Sequence, residues 1–160
     1  MGKAILICGR ICSGKSTYAE HLREKENAVI LSADEIMLSF FDRQLGDQHE
    51  VIAAKVEGYL KKKALDILAT GTSIILDWGF WTATGRRENR AYFESRGFAC
   101  EMHCVEISGE TWQRNIDRRN AQVLAGRSDV YLVDEGLKCK IDRLFEQPQD
   151  SEIDVWYTYP

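Results

Sequence analysis

The chain has 160 residues, of which 44% are hydrophobic and 29% charged, with a net charge of −4 and a pI near 5.4. That length suits one domain, residues 1–160, able to bury about 68–70% of the surface its unfolded chain exposes. No apolar stretch approaches the roughly 18–20 residues needed to span a bilayer, and the acidic balance argues against a protein that coats extended nucleic acid.

Met1 to Cys8 is too short for a secretory leader. Five cysteines, Cys8, Cys12, Cys100, Cys104 and Cys139, are scattered through apolar segments, and an odd number does not read as a disulfide framework. The expected compartment is the reducing cytoplasm.

In chain order, the apolar run Lys3 to Gly9 predicts a strand buried on both faces, followed by a helix over Lys15 to Lys25. Ala28 to Ser32 is a second short strand, Ala33 to Phe41 a short helix, and Asp47 to Ala69 a long helix closed by Gly71. Ser73 to Asp77 is strand three, and Thr82 to Arg96 is a charged helix whose Arg86, Arg87 and Arg90 are expected to face solvent. Ala99 to Ile107 is strand four; its alternation puts Cys100 and Cys104 on one face and His103 on the other, against a shared metal site. Helices over Gly109 to Gln122 and Val133 to Phe145 follow, then a fifth strand over Ile153 to Tyr157. Alternating strands and helices imply an α/β fold with a mainly parallel sheet and right-handed crossovers.

Gly9-Arg10-Ile11-Cys12-Ser13-Gly14-Lys15-Ser16 fits G-x-x-x-x-G-K-[ST] without a mismatch and lies between a predicted strand and a predicted helix. Such a loop wraps its backbone N–H groups around phosphate oxygens, which requires positive φ at Gly9 and Gly14, and the next helix adds its positive end. Lys15 can reach the β and γ phosphates, and the Ser16 hydroxyl can ligate magnesium. The expected ligand is a nucleoside triphosphate with Mg2+, ATP being the expected donor. Cys12, close to a helix N-terminus, is either a redox-sensitive thiol or simply a small loop residue.

The loop alone does not separate switch, motor and kinase, but the guanine-reading N-K-x-D pattern is absent and the chain is short for a motor. Asp34 follows strand two at the carboxyl edge of the expected sheet, where it serves either as general base toward an acceptor hydroxyl or as a helix N-cap, with Glu35 as the fallback base. Asp77 ends an apolar strand as a Walker B carboxylate does, positioned for magnesium, unless it only caps the turn that follows. Trp78, Phe80 and Trp81 either stack on an acceptor or close the core. Arg114 and Arg118, four residues apart on one helical face, and their neighbour Arg119 can supply the cations of a lid over about 114–130, or form a solvated basic face. Arg127 is a weaker lid candidate.

The ordered set Gly9 to Thr17, Ser32-Ala33-Asp34-Glu35, Leu76-Asp77-Trp78-Gly79-Phe80-Trp81, Arg118-Arg119-Asn120 and Leu144-Phe145-Glu146-Gln147-Pro148 resembles the small phosphate-loop kinases grouped with zeta toxins, chloramphenicol phosphotransferase and the polynucleotide kinase domain, proteins with AAA-like ATP-binding domains. The resemblance implies a three-layer fold with sheet order 2-3-1-4-5, an ATP–magnesium donor, Asp34 as base and Arg119 as lid arginine. Polynucleotide kinases carry an arginine three residues after that aspartate to hold the acceptor's phosphate; here that position is Met37. The expected acceptor is therefore a hydroxyl of a neutral or partly apolar small molecule, facing Met37, Leu38, Phe40 and Phe41 unless these are core. A nucleic-acid or nucleotide end, or a nucleotide-binding module without transfer, are the alternatives.

Overall fold

The computed structural model describes residues 1–41, 45–128 and 130–160. Strands β1 (Ala4–Cys8), β2 (Ala28–Ile30), β3 (Ser73–Gly79), β4 (Cys100–Glu106) and β5 (Val155–Thr158) form one sheet in the order β2-β3-β1-β4-β5, with every pairing parallel. Helices α1 (Lys15–Glu26), α2 (Ala33–Phe40), α3 (His49–Ala69), α4 (Ala83–Glu94), α5 (Gly109–Leu124) and α6 (Glu135–Leu144) connect the strands. Asp129, near the end of the expected lid, lies outside the described residues.

All five residues of β1 are buried, as a central parallel strand covered on both faces requires. Alternation splits them. Ala4, Leu6 and Cys8 pack with Ala64 and Leu68 of α3 and Phe93 of α4, whereas Ile5 and Ile7 pack with Tyr18, Ala19 and Leu22 of α1. These are the two cores of a three-layer α/β phosphate-loop fold. Each buried leucine contributes about 1.5–3 kcal/mol from its removal from water. A smaller cluster of Trp112, Ile116 and Val133 fastens α5, with Ile11 and Cys12 against it.

Most element boundaries differ from the sequence expectation for local reasons. β2 stops at Ile30 because Ser32 turns away to cap α2, its hydroxyl accepting from the Glu35 amide at 3.2 Å. β3 runs two residues past Asp77, to Gly79. Asp134 caps α6, so Val133 is not the first residue of a helix but a buried anchor for α5. β5 begins at Val155 because the Asp154 carboxylate is occupied as acceptor for the Met102 amide, at 2.7 Å. Gly71, at φ 90°, follows the cap residue Thr70 and ends α3 as expected.

The solvent-facing expectation for the α4 arginines fails at Arg86, whose side chain is 2% exposed. Its Nε donates to Glu152 at 3.0 Å, and Nη1 donates to the Phe80 and Trp81 carbonyls at 3.1 and 3.2 Å. Arg90 is also turned inward, toward the Cys100 and Glu152 carbonyls and the Asp154 carboxylate, whereas Arg87 is exposed. An isolated helix would show these arginines to water; the segment around 149–154 instead folds its carboxylates over α4.

Candidate nucleotide and acceptor site

The carboxyl ends of β1 and β3 adjoin, so the loop after β1 lies beside Asp77 near the end of β3. Gly9 (φ 153°), Cys12 (φ 58°) and Gly14 (φ 94°) take left-handed or neighbouring backbone conformations that curl the loop. Of these only Cys12 carries a Cβ and is strained by it. A Cβ on Gly14 would collide with the Tyr159 ring, so glycine is required there for space as well as for φ.

The first turns of α2, α4, α5 and α6 are capped by Ser32, Thr82, Ser108 and Asp134, whereas α1, with Gly14 as its N-cap residue, has no side-chain cap, as α3 has none. The amino-terminal N–H groups of α1 are therefore available to an anion. The Ser13 hydroxyl within the same loop is fully buried and has no hydrogen-bond partner among the described residues. An uncapped helix start with an orphaned buried hydroxyl fits a phosphate group.

Lys15 Nζ donates to the Arg10 carbonyl at 2.5 Å, and the Ser13 amide donates to the same oxygen at 3.3 Å. Burial pushes the Lys15 pKa down to about 8, against partial opposition from Asp77, Cys12, Asp34 and Cys8. Ser16 Oγ lies 3.3 Å from Asp77 Oδ2. Burial raises the Asp77 pKa, while Lys15 and the Ser16 bond pull it back down. One hydroxyl and one carboxylate form a sparse set of hard oxygen donors, which suits magnesium held mainly by phosphates and water. Thr17, one residue on, is exposed on α1.

Asp34 does not cap α2, since Ser32 does; it is exposed on the first turn, and its charge acts on Lys15, Asp77 and Glu57. Glu35, the fallback base, is exposed beside it and gives its amide to the cap. Glu57 of α3 went unnoticed in the sequence. It is a half-buried carboxylate whose pKa is raised by burial and, beyond an opposing effect from Lys61, by Asp34. Its place one turn before the buried Leu60 was the available signal.

Met37 is 1% exposed and belongs to the core, so it does not wall a pocket; Phe40, at 78% exposed at the end of α2, and the partly exposed Phe41 just after it meet solvent. Phe80 is buried with φ 42°, and Trp78 packs on the core while its Nε1 donates to the Leu31 carbonyl at 2.8 Å. Both aromatics close the core.

Arg119 is the α5 arginine that the structure brings to the loop. Its Nη1 is 3.6 Å from Cys12 Sγ, and its Nε donates to the Tyr131 carbonyl at 2.9 Å. Arg114 and Arg118 remain exposed and bond within the helix, to Thr111 and Asn115; Arg127 is exposed after it. The Arg10 guanidinium lies over the rings of Trp112 and Phe145, at 5.1 and 5.4 Å, so its carbonyl and not its charge faces the loop interior. Trp112 and Asn115 were missed by sequence reading. Trp112 Nε1 donates to the Ile11 carbonyl at 2.7 Å, and Asn115 Nδ2 to the Cys12 carbonyl at 3.1 Å. Their spacing on one face of a predicted helix was visible, but not what that face would meet.

A family model described as an AAA domain matches residues 5–134. No curated protein matches the chain. Among solved structures, Kti12 of Chaetomium thermophilum in complex with ADP-AlF3 is 16% identical with a TM-score of 0.72, over 98% of this chain and 88% of that one. The APS kinase CysC of Mycobacterium tuberculosis in complex with AMPPNP and APS is 18% identical with a TM-score of 0.67, over the same two shares. A gluconokinase from Sinorhizobium meliloti is 13% identical with a TM-score of 0.59, over 98% and 81%. At these identities the likeness is one of fold, the three-layer α/β phosphate-loop fold. Among the described residues no helix is long and apolar enough to cross a membrane.

Proposed function

The chain belongs to the AAA domain family, and from that premise we propose that it is a kinase moving the γ-phosphoryl group of ATP to a hydroxyl of a small-molecule acceptor. The observation that carries this reading is the position of Asp34. It is relieved of capping by Ser32 and exposed, and its charge acts on both Lys15 and Asp77. A carboxylate so placed is more than the nucleotide-binding loop itself requires, and it suits a general base.

ATP with magnesium, when bound, supplies the phosphoryl group and part of the charge that steadies its transfer. The backbone of Gly9 to Gly14 and the start of α1 cradle the phosphates, with Arg10, Ile11 and Cys12 shaping the loop and Thr17 continuing the helix beyond Ser16. Lys15 would leave the Arg10 carbonyl to neutralise the β and γ oxygens, and Ser16 and Asp77 would hold the metal. Arg119 is the lid cation at the loop, while Arg114 and Arg118 add positive potential from the exposed face of α5. Asp34 takes the proton from the acceptor hydroxyl. The likeness to an APS kinase and a gluconokinase supports small acceptors as a class. The exposed Phe40 and Phe41 at the end of α2 and just after it support an acceptor with apolar surface.

The test is transfer of label from γ-labelled ATP to a panel of alcohols, nucleosides, aminoglycosides and oligonucleotide ends. Asp34→Asn is expected to keep nucleotide affinity and lose about two to four orders of magnitude in transfer. Unchanged turnover in that variant, or hydrolysis with no transfer to any acceptor, overturns the kinase reading. Transfer confined to oligonucleotide ends would move the acceptor from small molecule to nucleic acid.

A further inference from the structure

Three side chains at positions 112, 115 and 119 lie on one face of α5 and all reach the phosphate loop at Ile11 and Cys12. Two of the three contacts are hydrogen bonds to consecutive backbone carbonyls. In a planar trans peptide the C=O and N–H point in opposite directions. Drawing the Ile11 and Cys12 carbonyls toward α5 therefore turns the amides of Cys12 and Ser13 away from α5.

Cys12 is the strained member, at φ 58° with a Cβ. Asn115 meets it there. The Asn115 amide oxygen accepts from Arg118 Nη2 at 3.1 Å, which leaves Nδ2 facing the Cys12 carbonyl. Attachment of α5 to the body does not depend on this bond, because Trp112 and Ile116 are already buried with Val133. The Asn115 bond falls on the carbonyl of Cys12, the one non-glycine residue of the loop from Gly9 to Gly14 that stands in the left-handed region.

We infer that Asn115 is a positioning residue that holds Cys12 in its left-handed conformation, so that the loop has its phosphate-receiving shape before a nucleotide arrives. The inference rests on the phosphate-binding reading of the loop and adds that its shape is maintained from the lid helix. Pre-organisation of this kind strengthens binding by removing an ordering cost. Its loss weakens nucleotide affinity without altering the groups that act on the transferred phosphoryl.

The experiment is a set of double-mutant cycles on Mg·ATP affinity, measured by calorimetry. Asn115→Ala is expected to raise the Kd about fivefold to tenfold, the scale of one net hydrogen bond, with kcat changed less than about twofold. Glycine adopts the left-handed region freely, so in a Cys12→Gly background the further effect of Asn115→Ala shrinks below about twofold. In a Cys12→Ala background, which removes the thiol but keeps the Cβ, the full loss returns. Asn115→Asp keeps the oxygen that Arg118 bonds and removes the donor; it reproduces the loss should the alanine variant fold poorly. An equal loss in the glycine and alanine backgrounds, or no loss in either Asn115 variant, overturns the inference while leaving the nucleotide site intact. A wild-type chain that does not bind Mg·ATP overturns the phosphate-loop reading and this inference with it.

Discussion

Lys15 shows how far one residue can be read before its surroundings are known. The motif announces a lysine directed at phosphate, but a pKa near 8 comes from burial among loop atoms that no spacing rule encodes. Triphosphate favours the charged lysine, so binding above pH 8 must take up a proton. Nucleotide affinity is expected to fall about tenfold per pH unit once the pH is well above 8. Calorimetry at pH 8.5 in buffers of differing ionisation enthalpy would register the proton uptake, and Lys15→Arg, always charged, would abolish the slope. A flat affinity from pH 7 to 10 in the wild type would contradict this account. Asp34 was legible as a pair of alternatives, base or cap; the structure gives the cap to the Ser32 hydroxyl.

Among elements, α4 departs most from expectation. In sequence its arginines form a solvated face, because a charged amphipathic helix has no other evident partner there. The chain around Glu152 and Asp154, more than 60 residues later, supplies one. Arg86 joins Glu152 to the carbonyls of Phe80 and Trp81, directly after Gly79 (φ 87°) and Phe80 (φ 42°). The Gly79 carbonyl in turn accepts from the Gly9 amide at 3.1 Å, so α4 braces the turn that joins β3 to the phosphate loop. Arg86→Met removes the guanidinium from the Glu152 carboxylate and from two carbonyls, at a cost of about 3 kcal/mol, the low end for a broken buried pair because Glu152 keeps its bond from the Gln149 amide and some water. Urea unfolding should show the lower midpoint, and a loss under about 1 kcal/mol would mean that water replaces the guanidinium. α5 offers a similar lesson: the sequence showed its arginines, but only packing distinguished Arg119, at the loop, from Arg114 and Arg118, in solvent.

At the scale of the whole molecule, a polar relay runs from partly exposed to buried along the α1 face of the sheet. The Glu101 carboxylate can only accept, so His103 Nε2 donates to it at 3.1 Å while Nδ1 accepts from the Tyr18 hydroxyl at 3.0 Å. Lys3 closes the relay on Glu101 at 3.0 Å. Burial depresses the His103 pKa below its ordinary 6.5, with Lys3 adding to the effect and Glu101 and Asp154 opposing it. The unfolded chain therefore binds the proton first. This contribution to stability is full above pH 6.5 and is lost as pH falls through the lower folded value. Denaturation midpoints should decline on acidification from pH 6.5, and His103→Gln should flatten that part of the profile; an identical slope in the variant would assign it to carboxylates. The alternation of apolar strands and amphipathic helices, with one motif of rigid spacing, was enough to determine a parallel α/β sheet and a phosphate loop after β1, because these depend on local periodicity and backbone freedom. Tertiary structure alone decided that Met37 is core, that Arg86 is buried, that Arg119 and not its neighbours meets the loop, and that Trp112 and Asn115 hold Ile11 and Cys12. Each of these depends on which distant segment arrives as a partner, and burial and hydrogen bonding across a hundred residues leave no trace in the local pattern.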